Sequence, residues 1–311
     1  MKRQLQQLMP QNRFARNVTK LAGGTAAGQG IVLLASPVLT RLYTPEDFGL
    51  LAVFASALAI LAVIASLRYQ LAIPLPESDE DAISVAALSL LVVLIVSLLV
   101  IFLVLAFGDP LARLLNTPEL SAYLWLLPFG LLLTGIYEVL YFWAMRKKAF
   151  TAISQTHLIQ SGGMTAFQLT AFSLGPMGLL VGKVIGQAAG STTLWRKAVR
   201  AETITKRSLR PKMIGQAAYR YISFPLYSSG AGLLNAGGAQ VPPLFFSAFF
   251  GPAAAGAYML ATRVINTPLR VVGKAVADTF LPNAVEANRN ARLAEAVLKL
   301  LHYLAVIIFP F

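Results

Sequence analysis

From residue 21 onward the chain alternates long apolar runs with short polar breaks, and most runs approach or exceed the roughly 20 residues a helix needs to cross a bilayer. The pattern predicts an all-α fold with helices near 21–43, 48–74, 83–107, 121–144, 154–174, 178–195, 222–249 and 256–281. A ninth starts near 296. It is still too short to span when "LLHYLAVIIFPF" stops at Phe311, so the sequence is expected to be incomplete at its C-terminus. The first run is too long for the apolar region of a secretory signal and is expected to remain as the first helix.

Composition narrows the class. Hydrophobic residues make up 57% of the chain, charged residues 13%, and the mean hydropathy is +0.66, against about 45–50% and about 25% in soluble domains. This describes a polytopic membrane protein. With no cysteine there is no disulfide framework and no thiolate site. His157 and His302 stand alone, outside any metal-ligand spacing, and read as packing or interfacial residues, with ligation the alternative. No metal or cofactor is expected.

The net charge of +13 is concentrated on one set of loops. With the N-terminus inside, the cytoplasmic segments 1–20, 75–82, 145–153, 196–221 and 282–295 hold Arg146, Lys147, Lys148 and the seven basic residues of "WRKAVRAETITKRSLRPK". The opposite loops 44–47, 108–120, 175–177 and 250–255 hold Arg113, with Arg41 just inside the first helix end. The positive-inside rule makes this a topology signal. Nucleic-acid binding, the other use of a basic chain, lacks an aromatic-basic motif.

The basic stretch 196–221 also separates a six-helix N-terminal lobe, 1–195, from the start of a second lobe, 222–311. A weak repeat accompanies it: Pro45 and Gly49 match Pro252 and Gly256, and each pair precedes a long helix ending at a proline, Pro76 and Pro282. Parallel repeats with a site between halves are one transporter architecture; a chance coincidence of two common residues is the other reading. Gly23, Gly24, Gly28 and Gly30, like Gly230, Gly232, Gly237 and Gly238, fit close helix packing, and together with Pro37, Pro242, Pro243 and Pro268 they also fit hinges. The acids Glu77, Asp79, Glu80 and Asp81 suit the N-terminal dipole of helix three.

Helix eight poses a sharper problem, because it carries Arg263, Arg270, Lys274 and Asp278. At 100° per residue all four fall within one face, and the stripe runs roughly 22 Å along the axis. Central charges cost about 2.5–3.5 kcal/mol each in lipid, so the stripe must face protein or water. Lys274 and Asp278, at i, i+4, can pair. Arg263 and Arg270 have no acid on their own helix, and with Arg68 and Lys183 they would suit an anion held by guanidinium forks. Glu138, an intramembrane carboxylate in helix four, is a candidate for proton coupling or for pairing with a cavity cation; proximity to the interface beside Arg146 is the alternative.

"SPVLTRLYTPEDFGLLAVFASALAILAVIASLRYQLAIPLPESDEDA", residues 36–82, resembles the first helix pair of bacterial polysaccharide flippases, the O-antigen and capsule repeat-unit exporters of the multidrug/oligosaccharidyl-lipid/polysaccharide superfamily. Arg41 to Gly49 and Arg68 to Pro76 carry the likeness, and 225–282 is similar more loosely. The resemblance implies two bundles around a central cavity and 12 to 14 helices in a full-length member, so this sequence departs by ending after eight. It implies alternating-access transfer of polyprenyl-diphosphate-linked oligosaccharide repeat units across the bacterial inner membrane for surface polysaccharides such as lipopolysaccharide O-antigen. Arg263, Arg270, Lys274, Arg68, Lys183 and Arg41 would meet the substrate, and Asp278 and Glu138 would serve coupling or charge pairing. Polymerase and chain-length machinery are the partners it implies.

Two rivals remain. A multidrug exporter of the same superfamily resembles its relatives in carrying acids in helix one or seven, and none stands in either helix here. A membrane enzyme of polysaccharide assembly would need catalytic groups, yet no paired carboxylates, GxSxG elbow or P-loop occur and no catalytic residue is assigned.

Overall fold

The computed structural model describes residues 11–196 and 210–263, with isolated residues 265, 280, 284, 294, 297 and 298, and side chains from Lys20 onward. Among these residues there are helices and no strands. The helices are α1 (Gln11–Leu42), α2 (Pro45–Ile64), α3 (Asp79–Leu114), α4 (Leu126–Arg146), α5 (Phe150–Thr170), α6 (Pro176–Ala189), α7 (Pro211–Arg220), α8 (Ser229–Phe250) and α9 (252–263). A further turn, Ser191–Leu194, follows α6, and a π-helical turn, Phe224–Ser228, precedes α8.

Among the described residues four helical segments are long and apolar enough to cross a membrane: Lys20–Leu42, Pro45–Ile64, Asp79–Leu114 and Leu126–Arg146. α3 shows the lipid boundary most plainly. Its 36 residues extend about 54 Å, beyond the roughly 30 Å hydrocarbon layer. One side carries Leu98, Phe102 and Leu105, which are 56%, 64% and 81% exposed, while Val85, Val93 and Val100 on the other side are buried against the protein. In water such a surface would be a liability; in a bilayer it is the contact face.

α2 is the central rod, with Phe48 through Phe54 buried without a break. Thr44 starts it with a capping box: its hydroxyl accepts from the Asp47 N–H at 3.2 Å and the Asp47 carboxylate from the Thr44 N–H at 2.9 Å, with Pro45 in the first turn. The apolar run predicts a helix to residue 74, but α2 stops at Ile64. Leu67 and Arg68 turn left-handed at φ 48° and 65°, and a 3₁₀ turn, Tyr69–Ala72, follows. Arg68 therefore lies in a turn and not within helix two. α8 runs antiparallel along α2, with Gly232 beside Arg68, Gln240 beside Ser56 and Pro252 beyond its end beside Gly49.

Glycine spacing sets the other close approaches. Gly24 and Gly28 of α1 lie on Ser154 and His157 of α5, where added methyls would come within 2.7 Å and 2.8 Å of the Ser154 and His157 carbonyl oxygens. Gly182, Gly186 and Gly190, at four-residue intervals, lie on Gln168, Met164 and Thr156 of α5 in the same way. This is small-residue packing of membrane helices. It settles Gly24 and Gly28 as contact glycines, whereas Gly23, Gly30, Gly230, Gly237 and Gly238 face open space.

At the end of the bundle predicted to be cytoplasmic, Arg146 gathers the loop before α3. It donates to the carbonyls of Ile73, Pro74, Pro76, Glu77 and Ser78 and to the Asp79 carboxylate at 2.9 Å, while Lys147 reaches Asp79 at 2.7 Å. Asp79 opens α3, whose 36 residues outrun the hydrocarbon layer, and precedes the stretch 83–107 that the apolar pattern predicts to span. The Lys147 hydrogen bond, and after it the Arg146 one, hold its carboxyl below the usual carboxylate value against the opposing effect of burial. Ser78 caps α3 by accepting from the Asp81 N–H at 3.1 Å, and the acids occupy the first turn as the dipole favours.

Candidate functional site

A cavity of about 810 Å³ lies between the first six helices and α8–α9. The glycine contacts explain its walls. Seating Gly28 on His157 puts Gln29 and Thr25 of α1 and His157 of α5 on one side, and seating Gly182 and Gly186 on α5 fixes the helix that presents Lys183. α2 contributes Ala52, Ala55 and Ser56. Asn235, Gln240, Pro242 and Pro243 of α8 form the opposite wall, and Tyr258, Met259, Thr262 and Arg263 of α9 complete it. Ser56 Oγ donates to Gln240 Oε1 at 3.3 Å, joining the walls.

The lining is about half polar, and its charge has one sign. Lys183 and Arg263 are cationic, and no Asp or Glu occurs among the described lining residues. Three amides, Gln29, Asn235 and Gln240, and the hydroxyls of Thr25, Ser56, Tyr258 and Thr262 supply both donors and acceptors. His157 is among the lining residues and its ring packs edge-on to Tyr141 with centroids 6.5 Å apart, so it serves the cavity wall as well as packing. Such a chamber can hold a hydrated or hydroxyl-rich ligand bearing negative charge. Among the described residues no group of three or more His, Cys, Asp or Glu stands close enough to bind a metal.

Of the residues singled out in the sequence, Lys183 and Arg263 come together in this cavity. Arg68 stands outside its lining: the guanidinium rests against Gly232, and its Nε is buried without a hydrogen-bond partner among the described residues. Arg41 is exposed in the last turn of α1. Glu138 is half-buried in α4 and does not line the cavity. Arg270, Lys274 and Asp278 lie outside the described residues, as does the ninth helix.

The amide set was not singled out in the sequence. Its signal is present there, because Gln29 between two glycines of α1 and Asn235 and Gln240 in α8 are polar groups in spanning runs, which lipid would disfavour.

The family profile described as polysaccharide biosynthesis protein matches residues 38–311, a stretch that includes α2 through α9 and every cavity wall except α1's. The chain belongs to this family. The succinoglycan biosynthesis transport protein ExoT of Rhizobium meliloti (strain 1021) is 26% identical over 276 residues, covering 86% of this chain and 54% of that protein. The chain thus spans about half the length of this curated relative. A solved structure described as protein A superposes with a TM-score of 0.65 at 13% identity, over 90% of this chain and 67% of the other, which shows a shared fold. Membership of a polysaccharide biosynthesis family, with a transport protein among its relatives, and the apolar helices together make this a multi-pass membrane protein.

Proposed function

We propose that the chain is part of a flippase that carries polyprenyl-diphosphate-linked oligosaccharide repeat units across the bacterial inner membrane by alternating access. One observation carries the reading: Lys183 from the six-helix part and Arg263 from the following part line a single chamber that is otherwise rich in amides and hydroxyls. The cations meet the diphosphate, Arg263 through paired N–H groups and Lys183 as a point charge. Gln29, Asn235 and Gln240 meet sugar hydroxyls, and the prenyl tail stays in lipid. The relative's description as a succinoglycan biosynthesis transport protein supports a lipid-linked sugar as cargo.

Eight spans with a cytoplasmic N-terminus, two lobes divided near 196–221, and a role without catalysis complete the proposal. Polymerase and chain-length machinery are its proposed partners. The test is reconstitution of the full protein into liposomes with a radiolabelled polyprenyl-diphosphate sugar in one leaflet. Protein-dependent appearance in the other leaflet supports the reading, and transfer no faster than in protein-free liposomes refutes it.

A further inference from the structure

The two copies of the Pro-x-x-x-Gly spacing, Pro45 to Gly49 and Pro252 to Gly256, open α2 and α9, and they rest on each other. A methyl built on Gly49 would overlap the Pro252 carbonyl and stand 2.7 Å from the Pro252 Cα. One built on Gly256 would overlap the Pro45 carbonyl and stand 2.9 Å from the Gly49 nitrogen and 3.1 Å from the Phe48 Cβ. Each glycine therefore makes room for the other copy's proline, and the contact is reciprocal. It is also backbone on backbone, so no long side chain can take up slack; the surfaces meet or part.

Its position gives the contact a role. Ala52 lies three residues inward from Gly49 and Tyr258 two residues inward from Gly256, and both line the cavity. The chamber thus ends about one helical turn from the clasp. Tyr258 is held there by stacking on Phe246, with centroids 4.8 Å apart, and Ser247 Oγ at the same end donates to the Leu115 carbonyl at 2.8 Å. Gly251, the joint between α8 and α9, has φ +85°, a conformation that glycine adopts without strain.

We propose that the Pro45–Gly49 and Pro252–Gly256 clasp is the outer gate of the cavity, opening when the first turns of α2 and α9 separate. The inference rests on the transport reading above and adds the element that closes the outer side. Symmetry accounts for the repeat: two copies of one motif each supply the notch and the ridge of one seal.

The test places a reporter cysteine at cavity residue Ala55 of the full protein, in a background lacking other cysteines, and labels it with an impermeant maleimide from outside intact cells and, separately, in inverted vesicles. Gly49→Leu and Gly256→Leu should each raise labelling from outside severalfold at equal membrane protein. Gly30→Leu, at a glycine facing open space, should not. Unchanged labelling in both clasp variants, a rise from the cytoplasmic side alone, or an equal rise in Gly30→Leu overturns the gate.

If the leucine variants fail to reach the membrane, the pair Phe48→Cys and Gly256→Cys decides, since a Cβ on Gly256 stands 3.1 Å from the Phe48 Cβ and a shift of a few tenths of an ångström brings the two into the roughly 3.5–4.5 Å range of a disulfide. Oxidation should lower outside labelling of the Ala55 reporter and dithiothreitol restore it; labelling indifferent to a formed disulfide overturns the gate. None of these readouts uses a substrate, so a working gate in a protein that moves no lipid-linked sugar would sink the function and leave the gate standing.

Discussion

Ser56 Oγ and Gln240 Oε1 are hydrogen-bonded at 3.3 Å although 184 residues separate them in sequence. The bond crosses from α2 to α8 on the cavity wall, and it shows how closely the helices after the basic stretch are fitted to those before it. Interhelical hydrogen bonds in membranes contribute about 0.6 kcal/mol on average and up to about 1.7. Ser56→Ala should therefore lower the thermal unfolding midpoint in detergent only slightly. A loss on the order of 3 kcal/mol would mean that the pair does more than join two helices.

Overpacking the α5–α6 seam should be far more damaging. Gly186→Val places a side chain where a methyl already stands 2.7 Å from Met164 Cβ, and the expected loss is about 1–3 kcal/mol. Gly163→Ala, whose methyl meets the Ala189 Cβ at 3.7 Å, should be neutral. Thermal unfolding of both variants in one detergent checks the contrast.

The Arg146 cluster predicts a pH signature. The Arg146 side chain is 10% exposed, and removing it leaves a row of carbonyls without their donor and Asp79 with Lys147 alone, so Arg146→Ala should cost about 1–3 kcal/mol. Because the folded Asp79 pKa is lowered, its contribution is present above the unfolded carboxylate value of about 3.9 and is lost as pH falls through the lower folded value. The stability difference between wild type and Asp79→Asn should be constant near pH 7 and vanish on acidification below about pH 4. A difference that grows in acid would reverse the assignment.

Topology gives a direct labelling contrast. Glu119→Cys should react with an impermeant maleimide from outside intact cells, and Lys148→Cys only in inverted vesicles. The reverse pattern would turn the molecule over.

Much of the fold is legible in the sequence because length and hydropathy suffice to locate a spanning helix. The apolar runs near 121–144 and 154–174 appear as α4 and α5 within a few residues. The end of α2 is not legible: "IASLRYQLAIP" continues the mostly apolar run and contains no glycine, so nothing in it marks the left-handed turn at Leu67 and Arg68. Consequently Arg68, placed within helix two by the apolar run 48–74, lies instead in a turn against Gly232. Lys183 is a different case, since a single cation in a glycine-rich spanning run must face protein or water, and it does line the cavity. The four-residue glycine spacing from Gly178 to Gly190 was readable as a packing face, yet which helix it meets depends on tertiary contacts that spacing cannot supply. The same limit hid the reciprocal contact of Pro45–Gly49 with Pro252–Gly256: the repeat is visible in sequence, and the touching is not.

Arg263 bears most directly on the function. In liposomes containing the full protein and a radiolabelled polyprenyl-diphosphate sugar, Arg263→Ala should slow transfer between leaflets at least tenfold, a change of about 1.4 kcal/mol, while Arg263→Lys should retain part of the rate. Transfer by Arg263→Ala within twofold of wild type, at equal amounts of folded protein, would contradict a cationic chamber that holds the diphosphate.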